Sequence, residues 1–136
     1  MASFNNPENY TYIASVDLDS SQHYFVDQAG TNTRKVTVAA ANGGIGVLLN
    51  KPKAGEHATV AIRGQVKVHA GAAVTVGALI VAAGSGFAAP YTAGVQVGSG
   101  STLTEKTIMG RAITAAASGS VFTMDLDPRF TQVVSA

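Results

Sequence analysis

The sequence predicts an all-β protein, a small β-barrel or β-tulip-like domain with an extended N-terminal arm. Apolar and polar residues alternate over short segments, and turns rich in glycine separate these segments. No window of ten or more residues has the 3.6-residue apolar period of an amphipathic helix. The longest alternation, HATVAIRGQVKVH at residues 57–69, predicts the strand around which the rest of the chain is organised.

The alternation in this central segment separates its side chains into two sets, which a β-strand places on opposite faces. One set is Ala58, Val60, Ile62, Gly64, Val66 and Val68, and the other is Thr59, Ala61, Arg63, Gln65, Lys67 and His69. A strand of this length would extend about 36 Å, whereas a typical strand extends roughly 17–20 Å. Gly64 lies at its midpoint and predicts a bend, so that one strand serves both halves of a closed β-domain.

Residues 1–9 are predicted to form an extended arm, and residues 10–136 are predicted to form a single β-domain. The first strand is expected at 10–18, with Tyr10, Tyr12, Ala14, Val16 and Leu18 on one face. Further strands are expected at 23–27, 34–39 and 45–49, and the residues between them form turns.

After the central strand, the apolar run 79–81 predicts another strand, and Gly84-Ser-Gly86 predicts a turn. Residues 91–104 have the composition of a loop, and strands are expected at 107–114 and 121–127. In the last strand we expect Phe122, Met124 and Leu126 to point inward. Pro128 is expected to end it, because proline cannot donate to a central ladder.

The amino-acid composition excludes several kinds of binding site and partner. The chain has 136 residues, enough for one domain with a core of its own. It has no cysteine, which excludes disulfides and zinc–thiolate sites, and its net charge of +1 provides no basic field for nucleic acid or anionic lipid. Charged residues make up 12%, about half of the ~25% in an average soluble domain. This low charge favours a surface that other protein covers over a weakly charged monomer.

Neither the N-terminal residues nor the apolar runs predict a targeting or membrane-spanning segment. Residues 1–8 lack the basic and apolar regions of a signal peptide. The most apolar run, 72–83, is interrupted by Gly77 and is shorter than the ~20 residues that a spanning helix requires. We therefore expect no membrane partner.

No motif indicates catalysis or cofactor binding. Residues 84–89 match the G-x-G-x-x-A form of a dinucleotide fingerprint, but Pro90 follows where the motif requires a helix, so a β-turn is expected. His23, His57 and His69 lack metal-ligand spacing, and the Asp17/Asp19 and Asp125/Asp127 pairs lack further oxygen ligands. We expect no catalytic, cofactor-binding or metal-binding residue.

Six residues are candidates for contact with a partner or with another subunit: Phe4, Tyr10, Tyr12, Arg63, Lys67 and His69. The three aromatic residues cluster near the N-terminus, and two interpretations remain open for them. Tyr10 and Tyr12 cap the core, or the arm carries aromatic anchors to a partner, a role in which such residues are frequent. The three basic residues belong to the outward set of the central strand.

Four segments resemble the tailed-phage capsid decoration (cement) proteins: Ala61–Gly71, Val74–Val81, Met109–Ile113 and Val121–Leu126. The resemblance covers about residues 56–127. It implies a β-barrel or β-tulip module on the outer face of an icosahedral head. Such modules commonly form homotrimers at local three-fold axes and clamp neighbouring subunits of the major capsid protein. The family has no catalytic residues.

Composition and resemblance together predict a viral structural protein that stabilises a phage capsid by bridging major capsid subunits, with an arm that orders on contact. No cofactor and no nucleic-acid partner are expected. One alternative is another virion component, such as a head-fibre base or a tail accessory protein. A second is a ligand-binding β-sandwich, for instance a carbohydrate-binding protein, which the absence of tryptophan disfavours.

Overall fold

The computed structural model describes residues 7–91 and 102–135, with the side chains of all of these except 33, 102–106 and 129–135. Every regular element in this part of the chain is a β-strand, which confirms the predicted fold class. The strands are β1 (Glu8–Ala14), β2 (Phe25–Ala29), β3 (Asn32–Val38), β4 (Gly46–Leu48), β5 (His57–His69), β6 (Leu79–Gly84), β7 (Phe87–Pro90), β8 (Thr102–Ala112) and β9 (Val121–Ser135). Within these described ranges no helix is available to cross a membrane.

The first five strands form a closed barrel in the order β1-β3-β2-β4-β5, which β1 completes by pairing with β5. The β1–β3 pair is parallel, with Ile13 opposite Lys35, and the other four pairs are antiparallel. Small and branched side chains fill the interior: Ala14, Leu18, Val26, Val36, Leu48, Ala58 and Val60. The prediction of a small barrel is therefore confirmed.

The remaining strands continue from β5 as an antiparallel sheet, β5-β9-β8-β6-β7. Its far edge returns toward β5, because Ala70 bridges Ala88 and the Gly71 N–H donates to the Ala88 carbonyl at 2.7 Å. One face of this sheet packs on the outside of the barrel. The core between them contains Phe25, Val47 and Ala61 from the barrel strands and Ile80, Met109, Phe122, Met124 and Leu126 from the sheet.

Strand β5 belongs to both halves, and Gly64 marks the change. Residues 57–63 pair with β1, whereas Gly64–His69 pair with β9. Gly64 has φ +113°, a conformation that other residues rarely adopt. The predicted bend is confirmed.

The prediction of one continuous pair of faces along β5 is wrong. Val60 faces the barrel interior, whereas Ala61 and Val66 both face the core between barrel and sheet. Residues 61 and 66 have opposite parity, so the alternation reverses at Gly64. Ala61, which the sequence placed in the outward set, is consequently fully buried.

The bounds of several predicted strands also differ from the structure. Strand β8 begins at Thr102, inside the predicted loop 91–104, of which residues 92–101 lie outside the described residues. Strand β1 begins at Glu8, within the predicted arm, and ends at Ala14, after which Val16 is 49% exposed instead of inward. Strand β9 continues past Pro128, so the prediction that this proline ends the strand is wrong. Pairing with β5 stops at Leu126, and the β8–β9 register shifts between Ile108 and Gly110. The missing N–H of proline therefore falls at a bulge, where no ladder partner is required.

Candidate functional site

A groove opens at one end of the barrel because β1 and β3 pair over only two residues. Ile13 and Ala14 lie opposite Lys35 and Val36, and the two strands diverge before that point. We call the resulting space, of about 640 Å³, the barrel-mouth groove; it is lined by Asn9, Tyr10, Thr11, Tyr12, Ile13, Arg34 and His57. Its volume lies within the roughly 300–1,000 Å³ of typical ligand sites.

The two candidate tyrosines of β1 both line this groove but differ in burial. They lie on the same side of the strand as Ala14, which is buried in the barrel core. Tyr12 packs against that core, as the capping interpretation proposed, whereas Tyr10 is 56% exposed. Tyr10 therefore offers the free aromatic surface. Phe4 lies outside the described residues.

The described residues that line the groove include one cationic side chain and no carboxylate. Arg34 and His57 line it, and the Arg34 N–H donates to Asn32 Oδ1 at 2.9 Å. The carboxylates beside the lining residues in sequence have other partners. Glu8 Oε2 lies 3.9 Å from Arg63 Nη1, and Glu56 Oε1 accepts the Lys53 N–H at 2.7 Å.

Arg63 lies where β5 passes from the barrel to the sheet. Its guanidinium is exposed and lies 3.7 Å from Asp127 Oδ1 through Nε, in addition to its contact with Glu8. Exposed ion pairs of this kind contribute little to stability, typically under ~1 kcal/mol. Arg63 is therefore available to a partner at small cost.

Lys67 and His69 lie on the half of β5 that belongs to the sheet, apart from the tyrosines. Lys67 is exposed opposite Thr123. The imidazole of His69 is partly covered, because the Tyr24 ring meets it edge-on at 4.9 Å between centroids, and Phe87 lies 5.0 Å beyond Tyr24. His69 thus belongs to a small aromatic cluster at the junction of barrel and sheet.

His23 is part of the same junction and was not among the candidate contact residues. Its N–H donates to the Leu48 carbonyl at 2.7 Å, and its carbonyl accepts the His69 N–H at 3.2 Å. The Nδ1 atom is buried without a hydrogen-bond partner. Burial lowers the pKa of His23, and the nearby charges of His69, Lys67 and Lys51 lower it further. A positive φ of 69° adds backbone strain at the same residue.

The five candidate contact residues that the structure describes therefore do not form one surface. Tyr10 and Tyr12 share the barrel-mouth groove, Lys67 and His69 lie on the other half, and Arg63 lies between. Sequence reasoning missed Arg34, because its place in the groove depends on the β1–β3 register and leaves no local signal.

The residues that match a dinucleotide fingerprint form a turn between two strands. Residues 84–89 form the β6–β7 hairpin, with positive φ at Gly84, Ser85 and Gly86, which confirms the predicted turn. In the described ranges no group of three or more histidine, aspartate or glutamate side chains is placed to hold a metal ion.

No family model and no curated protein matches the chain. The structure is similar to the crystal structure of the head fibre gp8.5 N base of bacteriophage phi29, with a TM-score of 0.64. The two chains are 18% identical, and the alignment covers 88% of this chain and 93% of the phi29 chain. At this identity the likeness shows that the two proteins share a fold over nearly their whole length.

Proposed function

We propose that the protein is a structural component of a bacteriophage virion, which binds the outer face of the capsid and stabilises the shell by bridging subunits of the major capsid protein. The observation that carries the proposal is the shared fold with a phage head-fibre base over 88% of this chain. The resemblance of residues 56–127 to capsid decoration proteins supports the same role. The role is structural, with no reaction assigned to the chain.

A protein that bridges two capsid subunits must be rigid between its barrel and its sheet. The Phe25 N–H donates to the Gly86 carbonyl at 2.8 Å, and the Gly86 N–H donates to the Ala39 carbonyl at 3.0 Å. These bonds join the β6–β7 hairpin to the barrel, in addition to the shared strand β5.

A ligand that binds only the assembled state of the shell stabilises that state by mass action, so many copies of modest affinity suffice.

The proposed contacts use the exposed candidates. Tyr10 supplies an aromatic anchor, and Arg63 and Lys67 supply charge-assisted hydrogen bonds. Phe4 would act from the arm, and His69 from the edge of its aromatic cluster. Assembly as a homotrimer on the shell belongs to the same proposal.

A second candidate function is that of a head-fibre base, which the structural similarity to the phi29 protein favours. The neighbour is itself the N base of a head fibre and is matched over 93% of its length. The two roles differ in what else the protein carries and in how many copies bind. Labelling of intact particles distinguishes them: decoration gives hundreds of copies over the head, whereas a fibre base gives copies that each anchor a projecting fibre.

The test adds the purified chain to heads of the encoding phage that were prepared without it. We expect cosedimentation, added density on the outer surface by electron microscopy and a higher melting temperature of the shell. Tyr10→Ala should weaken binding, whereas Val16→Ala, at a similarly exposed position, should not. Deletion of residues 1–6 tests the arm without removing the Glu8 pairing in β1. A chain that stays in the supernatant at saturating concentration would refute capsid binding.

A further inference from the structure

We propose that the barrel-mouth groove receives an extended, acidic segment of another protein, which adds as a strand to the free edge of β1. This inference goes beyond the proposed function. It concerns what the groove accepts, and it stands even if the capsid is bound through another surface. The β1 edge, the divergence of β3 and the side chains of the groove each support it.

The edge of β1 toward the groove follows from two hydrogen bonds at its end. The Ala14 N–H donates to the Glu56 carbonyl at the start of β5, and the Ser15 N–H donates to the Val36 carbonyl of β3. Successive residues of a strand turn their backbone polar groups to opposite edges. Thr11 therefore directs its N–H and C=O toward β3, as Ser15 and Ile13 do. The β1–β3 pairing stops at Ile13, so among the described residues Thr11 faces the groove instead of a partner strand.

The β3 side of the groove shows the same divergence. A parallel register continued beyond Ile13 and Lys35 would bring Arg34 opposite Tyr12. Instead, the Arg34 N–H is satisfied locally by the side chain of Asn32. The groove-facing edge of β1 from Glu8 to Tyr12, which pairs with no strand in residues 7–91 or 102–135, extends about 17 Å at ~3.3 Å per residue, the length of an average strand. An unpaired edge of this length is a template for another chain.

The side chains around this edge favour an acidic occupant. Arg34 presents a guanidinium that can bind a carboxylate with two parallel hydrogen bonds, and His57, which lies opposite Ile13 on β5, adds a second donor among the lining residues. Glu8 and Glu56, the carboxylates closest to the lining residues in sequence, are held by Arg63 and by the Lys53 N–H. The exposed ring of Tyr10 offers an apolar surface for an alternate side chain of the added strand. Backbone pairing supplies affinity, and these side chains supply selectivity.

The test displays a random twelve-residue peptide library and selects it on the immobilised full chain. We expect selected sequences enriched in aspartate, glutamate and β-branched residues. Arg34→Glu should reduce their affinity at least tenfold, and Arg34→Gln should reduce it less. The matched control, Arg111→Glu, changes an exposed arginine of β8 outside the groove and should leave the affinity unchanged.

Strand addition makes a further prediction that side-chain docking does not. N-methylation of alternate residues of a selected peptide removes the donors of one edge, so one of the two methylation patterns should abolish binding. Amide signals of Asn9–Ile13 should shift on titration, and exchange of the Thr11 amide should slow. Any of three results overturns the proposal: no enrichment over the bare support, equal binding by the Arg34→Glu chain, or tolerance of both methylation patterns. Two further results would also overturn the proposal, because each would assign the groove to a different occupant. One is selective binding of an oligosaccharide, and the other is dimerisation of the chain that Arg34→Glu abolishes.

Discussion

Replacing Gly64 with alanine tests whether barrel and sheet depend on a reversal in their shared strand. The residue has φ +113°, and a Cβ atom built there lies 3.0 Å from Pro7 Cα and 3.4 Å from Pro7 Cβ. Strained φ of this kind costs a non-glycine residue about 1–3 kcal/mol, and the contact with Pro7 backbone requires a further shift at the start of β1. We expect the free energy of unfolding to fall by about 3 kcal/mol, which corresponds to a melting temperature lower by roughly 10 °C.

Gly119→Ala is the matched control. Gly119 also has a positive φ, +88°, but apart from its chain neighbours no heavy atom of the described residues lies within 4 Å of a Cβ built on it. Its substitution therefore introduces backbone strain without a steric contact, and we expect a loss of about 1–2 kcal/mol. The difference between the two variants measures the cost of displacing Pro7. Urea unfolding followed by far-ultraviolet circular dichroism suits this chain, because it has no tryptophan to report by fluorescence.

Two results would refute this account of β5. A Gly64→Ala chain within about 0.5 kcal/mol of the wild type would mean that the strand passes between the halves without the unusual backbone conformation. A loss in Gly119→Ala equal to that in Gly64→Ala would mean that the contact with Pro7 carries no cost. The first outcome would remove Gly64 as the cause of the reversal, and the second would remove the contact with Pro7 from the cost of the substitution.

Three further predictions follow from burial and charge. Because burial lowers the pKa of His23, the unfolded chain takes up the proton more readily, so stability should decline as the pH falls below about 6.5. His23→Asn tolerates the positive φ without titrating and should flatten that decline in urea unfolding at several pH values. Phe122→Ala empties a buried site and should cost about 3–5 kcal/mol, whereas Val76→Ala, at a site 67% exposed, should change stability by less than ~0.5 kcal/mol. Arg63→Ala removes only exposed ion pairs, so calorimetry should show a loss under ~1 kcal/mol, and a larger loss would mean that these pairs are structural.

The sequence predicted those parts of the fold in which a strand has one buried face. In β9, Phe122, Met124 and Leu126 are buried as expected, because one core receives them all. The bend at Gly64 was also predictable, since a glycine inside a long alternation often marks a bulge or a corner of a barrel. The burial of Ala61 was not predictable, because it depends on a second core that packs against the outside of the barrel.

The candidate site was predictable only in part, for a related reason. Tyr10 and Tyr12 were identified because aromatic residues near a chain end are conspicuous, and both line the groove. Arg34 lies beside them only because β1 pairs in parallel with β3. The alternation of apolar and polar residues indicates which face of a strand is buried, but it does not indicate which strand lies next to it. The prediction for Pro128 was wrong because it assumed that both edges of β9 are paired there.

The charged residues of the chain are unevenly distributed between the barrel and the end of the sheet. Residues 70–104 and 112–124 contain no charged side chain, and in the structure the Val74–Ala116 bridge joins loops from these two segments at the end of the sheet. Val76, Ile113 and Val121 are exposed in the same loops and at the adjoining start of β9. Charged residues of the barrel, among them Asp17, Lys35, Lys51 and Lys53, are exposed. Removing water from uncharged groups costs less than removing it from charged groups, so contact between the end of the sheet and another protein would carry a smaller desolvation cost than contact through the charged parts of the barrel.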